Sequence, residues 1–402
     1  MRRVRTPARP DWMEKAEAVG FTYHTEGLPP ELRNPNGSWW FEDAAWEFTA
    51  DEIDVLEEAA EELHRLCLSA VSRVVHDEEL MARFAIPEPF RPWIRRSWER
   101  DDPYLIGRMD LAFAPGAPGL DAPKLIEYNA DTPTTTIETA VIQWRWLQDV
   151  KPGMDQFNSL HEKIIERFEW IGGFMPRGEV MHFSGMLEEE EEARHIMYYM
   201  DLAEQAGIKT RNTSISAIGW DAARKRFVDL NEEPIRRWFK LYPWEWLMAE
   251  EFGVHLLEDT LRVIEPPWKA ILSNKNLLPL LWDTFPDHPN LLPAFWTQDA
   301  RLGQSYVKKP VFAREGANVR IVRDGRVLEE TAGLYGEGAY IWQALADIPE
   351  FDGVRPILGA WLVGDKAAGM IVRETDRRIV KGGDRVAPHW FVPRPEEGEG
   401  VA

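Results

Sequence analysis

Between residues 50 and 75 apolar side chains recur at helical spacing, with Ile53, Leu56, Ala60, Leu63, Cys67, Ala70, Val71 and Val74 on one stripe. Thr49 followed by Glu52 has the form of a capping box, so a long amphipathic helix is predicted to start there. The pattern then changes. A segment from Arg108 (RMDLAFA) and another from Lys124 (KLIEYN) read as two strands joined by a loop rich in Gly and Pro. Thr132–Thr136 lead into a further helix to about Gln148, striped by Ile137, Val141 and Trp144. Glu179–Ser184 reads as a strand, Glu189–Ala206 as a helix closed by Gly207, and Ile208–Ile215 as a second strand, an order that predicts a parallel βαβ unit. From Ser305 onward short strands and turns dominate, with hairpin signals at Asp324-Gly325 and Gly364-Asp365. The expected picture is an antiparallel lobe downstream of a βαβ region. The Glu/Gly-rich end, residues 394–402, is expected to be disordered.

Composition narrows the class. The 402 residues suffice for two or three lobes, and 44% hydrophobic with 29% charged residues is an ordinary globular balance. A net charge of -21 argues against nucleic acid or an anionic membrane as the main partner and is compatible with a cationic amine. No apolar run approaches the ~20 residues of a membrane span, and the basic start MRRVRTPARPDW lacks the apolar stretch of a signal peptide. Cys67 is the only cysteine, which excludes a disulfide within the chain and leaves a cytoplasmic location as the expectation. The 19 tryptophans are expected in the core and between lobes. The acid run Glu188–Glu192 is assigned a solvated position at a helix start, where the macrodipole favours negative charge, and no function. Composition sets no oligomeric state.

Two constellations carry chemistry. On the strand KLIEYN, Glu127 and Asn129 point to one side and Tyr128 to the other. If the strand from Arg108 pairs alongside, Asp110 joins them, giving two carboxylates and an amide oxygen. Such a hard, all-oxygen set suits Mg²⁺ shared with substrate phosphates. An edge hairpin with solvated acids is the alternative. The second constellation is basic: Lys309 and Arg314 flank a strand end and the small-residue loop Glu315–Asn318, a phosphate-handling arrangement or, from this segment alone, equally a turn with surface basics. Lys275 and Arg373 also lie in apolar surroundings. There is no Walker A motif, no nucleophile elbow and no zinc spacing among the nine histidines. Acids at 108–129 and bases at 275–373 together suggest a nucleoside-triphosphate enzyme.

These residues resemble the synthetase domain of the glutathionylspermidine synthase family, an ATP-grasp ligase, through RMD, KLIEYNAD, SNKNLLPLLW, VKKPVFAREGANV, WQALADIPEFDG and GMIVRE in that order. The resemblance implies an α+β ATP-grasp fold: two α+β lobes holding ATP between them, with a βαβ-type substrate lobe inserted or preceding. It divides the chain into an N-terminal extension (1–30) and an ATP-grasp region (31–390), the latter comprising a metal site and βαβ substrate lobe (about 100–260) and the ATP-grasp lobes (about 265–390). It implies Asp110, Glu127 and Asn129 as Mg²⁺ ligands and Lys275 and Lys309 as contacts to ATP phosphates. Gln343, Ala344 and Leu345 fall beside the adenine, and Arg108, Arg314 and Arg373 around the transferred phosphoryl group. The implied reaction joins a small-molecule carboxylic acid to an amine through an acylphosphate. Two other outcomes stay open: a non-catalytic nucleotide- or polyamine-binding relic with a regulatory role, and a kinase-like enzyme that stops at the phosphorylated product. Two departures bear on substrate. The loop after Arg314 reads Glu-Gly-Ala-Asn rather than Cys-Gly-Ser-Asn, and Thr-Pro-Thr-Thr follows EYNAD. Cys67, on a helix stripe, is not placed as the amidase nucleophile of the family's bifunctional members.

Overall fold

A computed structural model of the chain describes residues 1–24 and 39–394; residues 395–402 of the expected tail lie outside them. The fold is α+β. The helix Ala50–Val75 forms as the periodicity predicts, with the Thr49 hydroxyl accepting from the Glu52 N–H and the Glu52 carboxylate accepting from the Thr49 N–H. Its buried stripe, from Ile53 to Val75, packs into the largest core cluster. Each fully buried Leu or Val there contributes about 1.5–3 kcal/mol.

That helix backs a five-stranded antiparallel sheet of β3 (Ile106–Ala112), β4 (Lys124–Asn129), β16 (Arg355–Val363), β17 (Lys366–Thr375) and β18 (Val386–Ala387), in the order β18-β17-β16-β3-β4. Here the sequence expectation needs correction. The two strands after Arg355 do not join the antiparallel lobe preceding them; β16 pairs with β3, so the C-terminal hairpin completes the sheet begun at residue 106. Alternation cannot reveal this, because both faces of β16 are buried.

The expected βαβ unit is present. β5 (Val180–Gly185) and β6 (Lys209–Ser214) are parallel neighbours joined by the helix Glu190–Gln205, and β9 (Arg237–Lys240) and β10 (Arg262–Ile264) extend the sheet. A small hairpin, β7 (Gly219–Asp221) with β8 (Arg226–Val228), lies between them in sequence. A third sheet holds β11 (Ala294–Phe295), β12 (Tyr306–Pro310), β13 (Arg320–Arg323), β14 (Arg326–Glu330) and β15 (Tyr340–Ala344). Residues 2–5, set apart on sequence as part of an extension, form β1 (Arg2–Arg5), which pairs with β2 (Ala44–Thr49); β2 pairs in turn with β19 (His389–Val392). Among the described residues eight tryptophans are fully buried.

Candidate functional site

β3 and β4 pair antiparallel with Asp110 opposite Glu127 and Arg108 opposite Asn129, so the pairing assumed from sequence is the one formed. A bulge follows at Asp110/Leu111, where the register jumps from Glu127 to Leu125. Bulges re-aim side chains. Ile126, which simple alternation puts on the Tyr128 side, lines the same cavity as Glu127, while Leu125 and Tyr128 face the core. The row continues across the sheet. Gly359 of β16 lies opposite both Asp110 and Ile371, and a Cβ there would stand 2.8 Å from Cδ of Arg108 and 2.7 Å from Cγ2 of Ile371. The missing side chain is the space through which Arg108 runs.

Two open cavities meet on this face. One, of about 1080 Å³, is walled by apolar Ile126, Leu292, Val307, Ile321 and Ile357 and contains Asp110, Glu127, Lys275, Lys309, Gln343, Ala344, Leu345 and Arg373. The other, of about 2000 Å³, is polar and contains Arg108, Glu127, Asn129, Arg314 and Arg373. All eleven residues singled out on sequence therefore line one cavity or the other, and Glu127, Ala313, Glu315 and Arg373 line both.

Charges in the row are already compensated. Arg108 Nε lies 3.0 Å from Asp110, and Lys275 Nζ lies 3.0 Å from Glu127 and donates to the Ala313 carbonyl at 2.9 Å. Lys309, 5% exposed, donates to the Ile126 carbonyl at 2.9 Å; burial outweighs its attraction to Glu127 and pushes its pKa down to about 8. Burial raises Asp110, helped by the neighbouring Glu127 charge against the pull of Arg108. Glu127 is held below its ordinary value because Lys275, Lys309 and Arg108 overcome its own burial. Two arginines keep spare donors: Nε of Arg314 and Nε of Arg373 are buried without a hydrogen-bond partner. Unmet buried donors are costly unless an anion takes them.

The donor chemistry fits a divalent cation of the Mg²⁺ type only in company. No group of three His, Cys, Asp or Glu that could hold a metal occurs among the described residues. Asp110, Glu127 and the Asn129 amide supply three oxygens on facing strands, so phosphate and water oxygens must complete a six-oxygen shell. Asn129 Nδ2 lies 3.4 Å from Asp110, and exchanging the amide ends presents its oxygen instead.

The Thr-rich turn holds the arginines. Thr134 O and Thr135 Oγ1 accept from Arg108 at 2.7 and 3.2 Å, and Thr132 Oγ1 accepts from Arg314 at 3.0 Å. Thr135 has φ +74°, a strained conformation for a β-branched residue, and its N–H donates to Nε2 of His195 at 3.1 Å.

The acid run needs a second correction. Glu188, Glu189 and Glu190 are exposed at the helix start as expected, but Glu191 and Glu192 are half-buried in the wall of the polar cavity. Burial, with Glu191 adding to it, pushes Glu192 up to about 7, and burial followed by Glu138 raises Glu191. The signal was in the spacing: Glu191 and Glu192 precede buried His195 and Ile196 by four residues and extend that stripe one turn. Tyr23, Trp39 and Trp246 complete the wall, with no sequence signal to mark them. Cys67 is buried in its helix and its thiol pKa is pushed up by burial. Among the described residues no helix is long and apolar enough to cross a membrane.

Comparison with known proteins places these features. The family model described as glutathionylspermidine synthase preATP-grasp matches residues 3–392. A Haemophilus influenzae protein named putative acid–amine ligase is 38% identical, with 96% of this chain and 98% of that protein covered. The bifunctional glutathionylspermidine synthetase/amidase of Escherichia coli is 30% identical over 82% of this chain and 56% of its own length. Trypanothione synthetase of Crithidia fasciculata is 28% identical over 80% and 52%. The chain thus spans about half the length of these two synthetases. A glutathione synthetase-like effector from Globodera pallida shares the fold, with TM-score 0.56 and 11% identity over 96% of this chain and 100% of that one.

Proposed function

The chain belongs to the glutathionylspermidine synthase family, and from that membership we propose an ATP- and Mg²⁺-dependent ligase of the ATP-grasp type that joins a small carboxylic acid to an amine through an acylphosphate. The observation that carries this reading is the junction of the two cavities at Glu127 and Arg373. The apolar cavity has the shape and lining for a nucleotide base, with the strand end at Gln343–Leu345 beside it. The polar cavity offers arginines for a carboxylate and acids for an amine.

In this reading Lys275 and Lys309 bind the phosphates, and Asp110, Glu127 and Asn129 hold Mg²⁺, which when bound supplies charge neutralisation between phosphate oxygens. Arg108, Arg314 and Arg373 face the carboxylate and the phosphoryl group together. Two anions repel as they approach, so cationic donors fixed in advance lower the barrier without reorganising during the reaction. The spare Nε donors of Arg314 and Arg373 suit that task. Glu191 and Glu192 attract the amine as a cation, and an unprotonated Glu192 is available to take its proton near neutral pH.

The test is ADP release across paired carboxylic acids and polyamines or amino acids. Release requiring both partners, with mass detection of a new amide, supports ligation. Phosphorylated acid without amide refutes it. Asp110→Ala and Lys309→Ala should each abolish ATP turnover in a folded protein, and unchanged turnover in both refutes the site.

A further inference from the structure

We infer that Tyr128, His64 and Asp365 are positioning residues that fix the strand carrying Glu127 and Asn129, an inference that rests on reading those two as metal ligands.

β4 is an edge strand, paired with β3 alone. An edge strand has one hydrogen-bonding side free and is correspondingly loose, yet ligands that converge on a cation must hold within about half an ångström. On its free side β4 is pinned at its ends. Leu125 N–H donates to Asn290 O at 2.9 Å, Gln343 Nε2 donates to Leu125 O at 3.0 Å, Lys309 reaches Ile126 O, and Ala130 N–H donates to Ser273 Oγ at 3.1 Å. Between those pins lie the proposed ligands, and the residue between them, Tyr128, reaches the opposite face.

The Tyr128 ring lies against β3 at Gly107, where a Cβ would stand 2.6 Å from its Cε2 and 2.8 Å from its hydroxyl. The hydroxyl is 2.9 Å from Nδ1 of His64, which is 2% exposed on the helix Ala50–Val75. His64 Nε2 lies 3.4 Å from the Asp365 carboxylate, which also accepts from the Tyr104 hydroxyl. A carboxylate takes only donors, so Nε2 carries the proton, Nδ1 accepts, and Tyr128 donates. Asp365 sits in the turn between β16 and β17, and β17 carries Arg373. The chain Asp365–His64–Tyr128 therefore ties the ligand strand to the hairpin that delivers an arginine to the same site.

Removing an outer-shell partner of a metal ligand set typically costs 10–100-fold in metal affinity. Tyr128→Phe removes the one donor to His64 Nδ1 and leaves the ring to slide. The experiment measures ATP affinity by calorimetry with Mn²⁺ and again with EDTA, in the full chain. Wild type should bind ATP more tightly with Mn²⁺; Tyr128→Phe should lose about tenfold of that tightening and keep the EDTA affinity. Asp365→Asn, at an exposed turn, should lose a smaller part in the same direction and guards against misfolding of the first variant. Wild-type tightening retained in both Tyr128→Phe and Asp365→Asn would overturn the inference, even if melting temperatures fall. Wild-type protein that shows no tightening overturns the metal reading itself, and this inference with it.

Discussion

Lys309 is a charge that burial disfavours, and its ligand should restore it. Lowering a lysine from 10.5 to about 8 corresponds to roughly 3 kcal/mol against the charged form. The sign follows from linkage. The folded value lies below the unfolded one, so the cost is fully present below pH 8 and disappears as pH rises toward 10.5. Lys309→Met removes that cost but strands the Ile126 carbonyl, which it now pairs at 2.9 Å, at a loss of about 1–3 kcal/mol. Ligand-free protein at pH 7 should therefore be as stable as wild type or up to about 2 kcal/mol more so, as read from urea unfolding. Binding moves the other way, because a charged hydrogen bond to phosphate contributes about 1.5–3 kcal/mol, so ATP should bind the variant about 10–100-fold more weakly. In wild type the triphosphate must bind a protonated Lys309. The terminal phosphate, with a second pKa near 6, is already ionised, so ATP affinity should fall about fivefold from pH 8 to 9 and nearly tenfold over the next unit. Calorimetry in two buffers of different ionisation enthalpy should show close to one proton taken up at pH 9. Flat wild-type affinity between pH 7.5 and 9.5, or the same slope in Lys309→Met, would refute the assignment of Lys309 to the phosphates.

Three other expectations follow from the same geometry. Asp131 and Lys240, both essentially buried and 2.5 Å apart, tie the end of the ligand strand to the βαβ sheet, with Asp131 also accepting from the Trp244 N–H; Asp131→Ala should cost about 3–5 kcal/mol in denaturant unfolding, and a loss under 1 kcal/mol would show that the pair is not a structural tie. Glu192→Gln should raise the melting temperature at pH 8 and leave it unchanged near pH 4, because its folded pKa of about 7 lies above the unfolded value and its contribution is lost as pH rises. In steady-state assays the same variant should raise the amine KM more than the ATP KM. Gly359→Ala forces a methyl against Arg108 and Ile371 and should abolish ADP release while circular dichroism stays native; retained activity would free Arg108 of its proposed role.

The local patterns were legible because they are local. The helix Ala50–Val75 is written in its apolar period and its Thr49/Glu52 cap, and the βαβ unit in its strand, helix, strand order with the helix closed by Gly207. Asp110, Glu127 and Asn129 could be grouped before any coordinates because a strand's two-residue period and one hairpin suffice to align them. Lys275, Lys309, Arg314 and Arg373 stood out as basic positions in apolar or small-residue surroundings, and the family motifs added their individual roles together with Arg108 and Gln343–Leu345. Tertiary structure alone decided the rest. The C-terminal hairpin crosses to β3, an association between residues far apart in sequence, such as Gly359 and Asp110, that no period encodes. One bulge turns Ile126 into the cavity, because an extra residue shifts the alternation. Glu191 and Glu192 lose part of their water because the Thr-rich turn, Tyr23 and Trp39 wall the same cavity as their helix. A carboxylate's environment is set by what packs against it from elsewhere in the chain, so one five-glutamate run keeps its solvated cap at Glu188–Glu190 and becomes a cavity wall at Glu191 and Glu192.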